Sequence, residues 1–362
     1  MADTVVATGL RAQQWDSKFF TEYLTENRYF PTMGEDQNSV IQLREDVTKK
    51  PGDSITFALV NRLKQTAVIG SAMMEGNEED LSSRSFRLYV DKRRNAVRIP
   101  EMEEIKSAID LRDAARAALK DWTQKDTEAL VTTALGAIDG VAYTSATASQ
   151  KNAWNVANSD RILFGALKSN YSATHATALA NIDNTADKLT AASLSLMKRI
   201  AIEADPKISP IRVEANGSKR FYVAYANPRT FRDLKNDATI VAAQREVSLA
   251  NQNNKLFEGG DIEWDGVVVK EVPDIAVITG AGAGSIDVAP VYFCGAQAVG
   301  MAWAKRWRTV TKTFDYGDKY GVAMEGILGI RKIQFGTSVS TDTGTLKDNG
   351  IVTGFFAAVA DA

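Results

Sequence analysis

The clearest pattern in the chain is Pro100-Glu-Met-Glu-Glu-Ile-Lys-Ser-Ala-Ile-Asp-Leu-Arg-Asp-Ala-Ala-Arg-Ala-Ala-Leu119. Apolar residues recur in this stretch at steps of three to four, as on one face of an α-helix. Three glutamates follow the proline, at the helix start where the helix dipole favours carboxylates. The spacing continues through Trp122 to Leu135 and predicts a helix of about 30 residues, roughly 45 Å long, that ends near Gly136 or Gly140. A helix of this length is expected to form the spine of the fold.

Two short runs of alternating residues precede this helix. Ser54–Val60 and Ser85–Asp91 each place apolar residues at every second position, which predicts the two strands of a long hairpin-like excursion. An acidic run, Glu75–Asp80, lies between them, and a basic run, Asp91–Asn95, follows the second. A charge run is usually only a solvated face, but segregated acid and base can also pair with another copy of the same chain.

The charge runs therefore supply candidates for contacts between subunits. The candidate side chains are Glu78, Glu79, Lys92, Arg93 and Arg94. The hypothesis is that the two arginines pair with the two glutamates of a neighbouring copy.

The N-terminal region carries aromatic residues without a core of its own. Trp15, Phe19 and Tyr23 stand four residues apart and would share one face of a short helix. A second short helix is predicted over Ser39–Thr48. Because this region has too little apolar surface to fold alone, it is expected to pack on its own domain or on a neighbouring subunit, and the three aromatic residues join the contact candidates.

The rest of the chain mixes helical and strand patterns. Residues 141–184 show no clear period and are predicted to be a long connection. Further helices are predicted over Thr185–Ala204, from Asn227 as cap with Pro228 as first helical residue, and in the second half of Cys294–Ala304. Strands are predicted at Lys219–Tyr225, Val267–Val272, Asp274–Ile278, Gly326–Ile330, Lys332–Phe335 and Ile351–Val359. Because the elements do not follow a strict βαβ repeat, the predicted fold class is α+β.

Composition excludes several kinds of chemistry. The 43 Lys+Arg and 45 Asp+Glu residues give a formal charge of −2, and there is one histidine, His175, and one cysteine, Cys294. A single cysteine forms no internal disulfide, and a zinc site built from Cys and His needs three or four such ligands. Near-zero net charge argues against a dedicated nucleic-acid-binding protein. No signal peptide and no apolar run of about 18 residues is present, so a soluble protein without a membrane span, cofactor or metal is expected.

Four segments contain residues typical of functional sites, but none has a complete motif. Gly280-Ala-Gly-Ala-Gly284 has no glycine three positions after its second one, where a dinucleotide fingerprint requires it. Asp261–Gly266 resembles the start of a calcium loop, but Val272 stands at the position of the acid that closes such a loop. Both are predicted to be turns. His175 lies among small polar residues without a nucleophile elbow, which argues against catalysis through it. Lys305–Arg308 interleaves cations with Trp303 and Trp307, which could stack bases, but it is better interpreted as a helix end.

The order of these segments resembles the major capsid proteins of tailed bacteriophages, which share the Hong Kong 97 fold, and among them the family typified by the coliphage N-four protein. The resemblance covers about residues 15–335. The segments that carry it are Pro51-Gly-Asp-Ser-Ile-Thr-Phe57, Met74-Glu-Gly-Asn-Glu-Glu-Asp-Leu81, Leu111-Arg-Asp-Ala-Ala-Arg-Ala-Ala-Leu119 with Trp122, Asp160-Arg-Ile-Leu-Phe-Gly165, and Phe314-Asp-Tyr-Gly317 leading to Gly326-Ile-Leu-Gly-Ile-Arg-Lys332.

This resemblance implies a four-part subunit: an N-terminal arm (1–50), an E-loop (51–100), a peripheral domain with the spine helix (101–184 and 311–362) and an axial domain (185–310). It implies a structural protein without enzymatic activity, whose copies form pentamers and hexamers of an icosahedral head shell around packaged double-stranded DNA. The implied partners are scaffolding, portal and possibly decoration proteins, with non-specific DNA contact. The implied location is the virion, after assembly in the host bacterial cytoplasm.

Two alternatives remain open from the sequence. One is a soluble hydrolase that uses paired carboxylates, for example Asp315 and Asp318 beside Tyr316. The other is a tail or decoration component of a phage, which is structural but does not form the shell.

Overall fold

The computed structural model describes residues 27–45, 54–60, 63, 65–71, 73–79, 83–107, 109–213, 219–243, 261–336 and 346–360. The helices with both ends in these ranges are α1 (Glu101–Lys106), α2 (Leu111–Gly136), α3 (Ala148–Ala157), α4 (His175–Ala180), α5 (Ala191–Glu203) and α6 (Pro228–Lys235). The strands of the described ranges are β1 (Met33–Gly34), β2 (Ile41–Arg44), β3 (Ser54–Val60), β4 (Ser83–Tyr89), β5 (Asp91–Pro100), β6 (Ile162–Phe164), β7 (Ile211–Val213), β8 (Lys219–Ala226), β9 (Ile262–Trp264), β10 (Val267–Glu271), β11 (Val288–Cys294), β12 (Val299–Phe314), β13 (Lys319–Lys332), β14 (Gln334–Gly336), β15 (Leu346–Asp348) and β16 (Ile351–Ala357). Helices and strands are interspersed, which confirms the α+β prediction. No helix in these ranges is long and apolar enough to cross a membrane.

The predicted spine helix is present but interrupted. α1 ends where Ser107 N–H bonds to the carbonyls of Glu103 and Glu104. The Asp110 carboxylate then accepts the backbone N–H of Arg112 at 2.9 Å and that of Asp113 at 3.1 Å, so it caps the start of α2. A side chain that bonds the backbone in this way competes with a continuous helix, which is why one predicted helix became two. α2 ends at Gly136, as the pattern indicated.

The described chain forms two compact units. One contains residues 92–127 and 305–327, and the other contains residues 28–91, 128–304 and 328–362. The elements α2, β12 and β13 each contribute residues to both units.

In the smaller unit, the first part of α2 packs on strands that neighbour each other in the order β12, β13, β5. The rings of Trp122 and Trp307 meet edge to face, with their centroids 5.7 Å apart. The Trp307 ring lies over Gly326, where a Cβ would come within 2.8 Å of it, so glycine allows this close packing.

In the larger unit, a seven-stranded sheet has the order β6, β16, β11, β8, β10, β9, with β7 beside β8. One face of this sheet buries Phe293 and Phe356 against Met197 of α5 and Phe231 of α6. Another cluster in this unit contains Phe355 with side chains from α3 and α4, among them Trp154 and Leu179. The sheet therefore forms the centre of the larger core.

The prediction of a helix over Ser39–Thr48 is wrong for its described part. Ile41–Arg44 is the strand β2, which pairs in parallel with β12 from Val299 to Ala302. Val40 and Ile41 are buried there. The helical pattern of this segment was weak, and hydrogen bonding to a neighbouring strand overrides weak local propensity.

Three other sequence predictions are corrected. Residues 141–184 are not a plain connection, because α3, β6 and α4 lie within them. The segment after Cys294 continues as strand β12 rather than as a helix, so Lys305–Arg308 is not a helix end. Asp274–Ile278 contains no strand and joins the sheet through one isolated bridge, from Ile278 to Val288. The strands β6 and β12 pair with partners far away in the chain, which the local pattern does not record.

Several local predictions are confirmed. The Asn227 side chain accepts the Arg229 N–H at 3.0 Å and Pro228 is the first residue of α6. Asp265 and Gly266 form the tight turn between β9 and β10, with φ values of 49° and 72°. Gly284, with φ of 64°, lies in a short helical turn rather than at the start of a dinucleotide-binding helix.

Candidate functional site

The β3–β4 hairpin is anchored at its base. Its strands pair antiparallel from Ser54 opposite Tyr89 to Val60 opposite Ser83, which confirms the predicted pair of strands. The alternating residues Phe57 and Phe86 are buried and pack against the ring of Phe335 and its neighbours. A hairpin held in this way presents the loop between its strands from a fixed support.

That loop exposes apolar side chains. The exposed fraction is 59% for Val60, 58% for Leu63, 82% for Ile69, 71% for Met73 and 66% for Met74. We call these five the apolar loop residues. Single exposed apolar residues are ordinary, whereas several in one surface loop are typical of an interaction site.

The two predicted acidic contact residues help to shape the same loop. The Glu79 carboxylate accepts the backbone N–H of Gln65 at 2.7 Å, and the Glu78 carboxylate accepts that of Gly76 at 2.7 Å. The Gln65 side chain donates to the Asn77 carbonyl at 2.7 Å. The two bonds of Gln65 cross the loop and the Glu78 bond closes a local turn, while Glu78 and Glu79 remain exposed.

The smaller unit carries cations on one face of its strands. Arg93 reaches Asp126 of α2 at 2.5 Å, and Trp307 packs on the same helix, so both side chains lie on the helix side of the strands. Since successive strand residues point to opposite faces, the adjacent Lys92, Arg94 and Arg308 lie on the side away from α2. The same alternation places further cations there. We call this set the basic face: Lys92, Arg94, Arg98, Arg306, Arg308 and Lys312.

Glu325 is the carboxylate at the centre of these cations. Its carboxylate oxygens lie 2.7 Å from Arg308 Nε, 3.0 Å from Lys92 Nζ and 3.6 Å from Lys305 Nζ. Hydrogen bonds from Arg308 and Lys92 lower the pKa of Glu325 to about 2. One carboxylate shared by three cations leaves an excess of positive charge at this point of the surface.

The structure thus gives four of the five described contact candidates partners in their own chain. Lys92 binds Glu325, and Arg93 binds Asp126, while Arg94 is exposed. The predicted aromatic contacts Trp15, Phe19 and Tyr23 lie outside the described residues.

His175, the one imidazole of the chain, is a core residue. Its side chain is 3% exposed and is enclosed by the rings of Tyr143, Trp154, Phe164 and Phe355. Its Nε2 lies 2.7 Å from the Tyr143 hydroxyl. Burial lowers the pKa of His175 to about 4, so the neutral ring is the stable form in the fold.

We expect the free energy of unfolding to fall as the pH drops from 6.5 to 4, because the unfolded chain takes up a proton on His175 near pH 6.5 and the folded chain only near pH 4. Above pH 6.5 the contribution is complete. Urea denaturation of wild type and His175→Gln across this range measures the difference. Equal pH slopes for the two proteins would contradict the assignment.

The carboxylates that suggested a hydrolase do not form an acid–base pair. Lys319 Nζ lies 2.6 Å from Asp315 and 3.6 Å from Asp318. The hydrogen bond from Lys319 lowers the pKa of Asp315, whereas the proton donor of a glycosidase needs a raised pKa. This cluster is therefore an exposed ion-pair group.

The sequence did not indicate a buried charge cluster around Asp348. Lys332 Nζ and Gln334 Nε2 each donate to its carboxylate at 2.7 Å, and Trp154 Nε1 donates at 3.1 Å. Arg161, 1% exposed, donates to the Asp348 backbone carbonyl. The cluster joins segments that are far apart in sequence, so no local pattern indicates it.

Comparisons with known proteins agree with this architecture. A family model described as phage capsid protein matches residues 3–359. The major capsid protein of Pseudomonas phage KPP25 is 27% identical, with 95% of this chain and 94% of that protein covered. Among solved structures, the capsid of Cyanophage Pam1 superposes with a TM-score of 0.88 at 33% identity, and the capsid of Ralstonia phage GP4 with 0.77 at 25%, each covering 100% of both chains.

Proposed function

This chain belongs to the phage capsid protein family, and we propose that its copies hold one another through the apolar loop residues and the basic face. The protein is a major capsid protein, a structural component of the virion that assembles into the multi-subunit head shell. The sequence-based assignment to a structural protein rather than an enzyme is confirmed by the family.

The observation that carries the proposal is the anchored hairpin with an apolar loop. Five side chains that are 58–82% exposed stand on a hairpin whose base is buried. Removing apolar surface from water stabilises association by about 25 cal/mol per Å². The shell contains many copies of the subunit and therefore repeats each contact many times. One such loop per copy thus contributes a large total stabilisation to the shell.

Charges are proposed to set the register of this contact. Glu78 and Glu79 of one copy would face the cations Lys92, Arg93 and Arg94 of a neighbour. Because Lys92 and Arg93 already bind carboxylates of their own chain, Arg94 is the principal partner in this proposal.

We further propose the four-part division of the subunit, with arm 1–50, E-loop 51–100, peripheral domain 101–184 and 311–362, and axial domain 185–310. In this scheme Trp15, Phe19 and Tyr23 of the arm contact a neighbouring subunit. Pentamers and hexamers would assemble in the host bacterial cytoplasm with scaffolding and portal proteins. Decoration proteins would bind the shell, and packaged DNA would contact it without sequence specificity.

A charge exchange tests the electrostatic part of the proposal. We expect Arg94→Glu alone, and Glu78→Lys with Glu79→Lys, each to lower the fraction of protein that sediments as shells, and the combination of all three to restore it. Each exposed ion pair contributes only about 0.2–1 kcal/mol, but the shell repeats it many times. Sedimentation and negative-stain microscopy, with scaffolding protein present, measure the fraction.

Two controls keep this result interpretable. Glu78→Gln with Glu79→Gln removes charge but retains acceptors for the loop's backbone N–H groups, and Lys168→Glu changes an exposed charge elsewhere. A combined variant no better than its parents would disprove the pairing. A wild-type chain that stayed monomeric at every concentration and salt would disprove the assembly contacts as a whole.

A further inference from the structure

A cavity of about 420 Å³ lies within the larger unit. Part of its lining comes from two neighbouring strands, where Tyr292 of β11 stands opposite Thr353 of β16 and Pro290 stands opposite Phe355. The end of α2, the helix α3 and residues 274–279 supply the other walls. Pockets for small molecules commonly have volumes of about 300–1,000 Å³, so the space suits a small ligand.

Two residues of this lining carry hydroxyl groups without a protein partner in the described part of the chain. Tyr292 is 6% exposed and Thr353 is 4% exposed, and neither side chain makes a hydrogen bond to any residue that the structure describes. The Tyr292 hydroxyl lies at the cavity wall, because a Cβ on the lining residue Gly136 would be 2.6 Å from it. Burial raises the pKa of Tyr292, so its hydroxyl is a neutral donor. Hydroxyl groups that line a cavity without a protein partner are free to donate to the acceptor oxygens of a ligand.

The same lining combines aromatic rings with ammonium groups. Lys151 Nζ lies 4.2 Å from the centre of the Tyr143 ring, and within the described residues it has no carboxylate partner. Lys332 Nζ lies 5.3 Å from the centre of the Trp154 ring and is already bound to Asp348. The lining also contains one carboxylate, that of Asp274, so the positive charge available to a ligand is that of Lys151, at the part of the wall formed by Tyr143.

We propose that this cavity binds a small aromatic carboxylate. The ring of the ligand would lie among the aromatic side chains, its carboxylate would accept hydrogen bonds from the Tyr292 and Thr353 hydroxyls, and Lys151 would supply the counter-charge. The site is separate from the proposed assembly surfaces, so it adds a ligand-binding function to the subunit.

Isothermal titration of the full chain with phenylacetate tests the proposal. We expect saturable binding with one site per chain. Tyr292→Phe, which removes one oxygen atom, should weaken binding about tenfold, as expected for loss of a hydrogen bond to a charged group. Lys151→Gln should also weaken it, whereas Lys168→Gln, which removes an exposed charge outside the lining, should bind as wild type.

Three results would overturn the proposal. One is the absence of saturable binding by wild type at millimolar phenylacetate, and the second is wild-type affinity in both Tyr292→Phe and Lys151→Gln. The third is equal affinity for the neutral amide of the same acid, which would show that the cavity binds the apolar ring without recognising the carboxylate. Thermal melting verifies that each variant is folded, and shell formation is followed separately, so failure here does not bear on the assembly contacts.

Discussion

Replacing Asp348 by alanine is expected to lower the free energy of unfolding by about 3–5 kcal/mol, which is the usual cost of removing one partner of a buried ion pair. Asp348 is 2% exposed and Lys332 is 1% exposed, so neither charge is solvated by water. Without the carboxylate, the buried Lys332 ammonium group would lose its ion-pair partner, and the N–H groups of Trp154 and Gln334 would lose their acceptor.

Urea denaturation followed by circular dichroism measures this effect. Asp348→Asn keeps the shape and loses the charge, so we expect a smaller but definite loss. Lys332→Met combined with Asp348→Leu removes both charges and should recover much of the stability, since an apolar pair of similar volume often replaces a buried ion pair well. Asp318→Ala, at an exposed carboxylate, should change stability by no more than about 0.5 kcal/mol. An alanine variant at position 348 with the wild-type midpoint would refute the structural role of this cluster.

Replacing Ile69 and Met73 together by aspartate is expected to abolish shell formation without changing the stability of the subunit. Both side chains are more than 70% exposed in the subunit, so the fold gains little from them. Burying two such side chains against a neighbour stabilises a contact by about 3–6 kcal/mol, which is a factor of more than about one hundred in the association constant. Burying two unpaired carboxylates instead would oppose the contact.

Sedimentation and negative-stain microscopy in the presence of scaffolding protein give the assembly result, and thermal melting gives the fold. The matched control is Val156→Asp with Ile202→Asp, which places the same charges on exposed apolar positions of α3 and α5 outside the loop. Shells at wild-type yield from the loop variant would show that the apolar loop residues are not the contact. Loss of shells in both variants would show that added charge, not the loop, is responsible.

The sequence predicted features whose causes are local. The Asn227 cap followed by Pro228, the paired strands around Phe57 and Phe86, and the end of α2 at Gly136 all follow from propensity, periodicity and capping within a few residues. Its failures came from strand pairing at a distance. β2 was mistaken for a helix because its partner β12 is more than 250 residues away, and the start of β12 was mistaken for a helix for the same reason.

For the contact candidates, the sequence named the charged residues but not the arrangement of their charges in the fold. Lys92 and Arg308 meet at Glu325 only because β5, β12 and β13 are neighbours in one sheet. The net charge of −2 gave no sign of a locally cationic surface, because a sum over the chain discards position.

The sequence by itself determined the class of fold, the main helices and strands, and the likeness to phage capsid proteins. With one histidine and one cysteine, it also ruled out sites that need several of these residues. Tertiary structure alone decided which charges gather on the basic face, which are buried around Asp348, and which hydroxyls line the cavity beside Tyr292. The physical reason is that periodicity and capping act between residues close in the chain. Burial, ion pairing and cavities instead depend on which distant strands become neighbours.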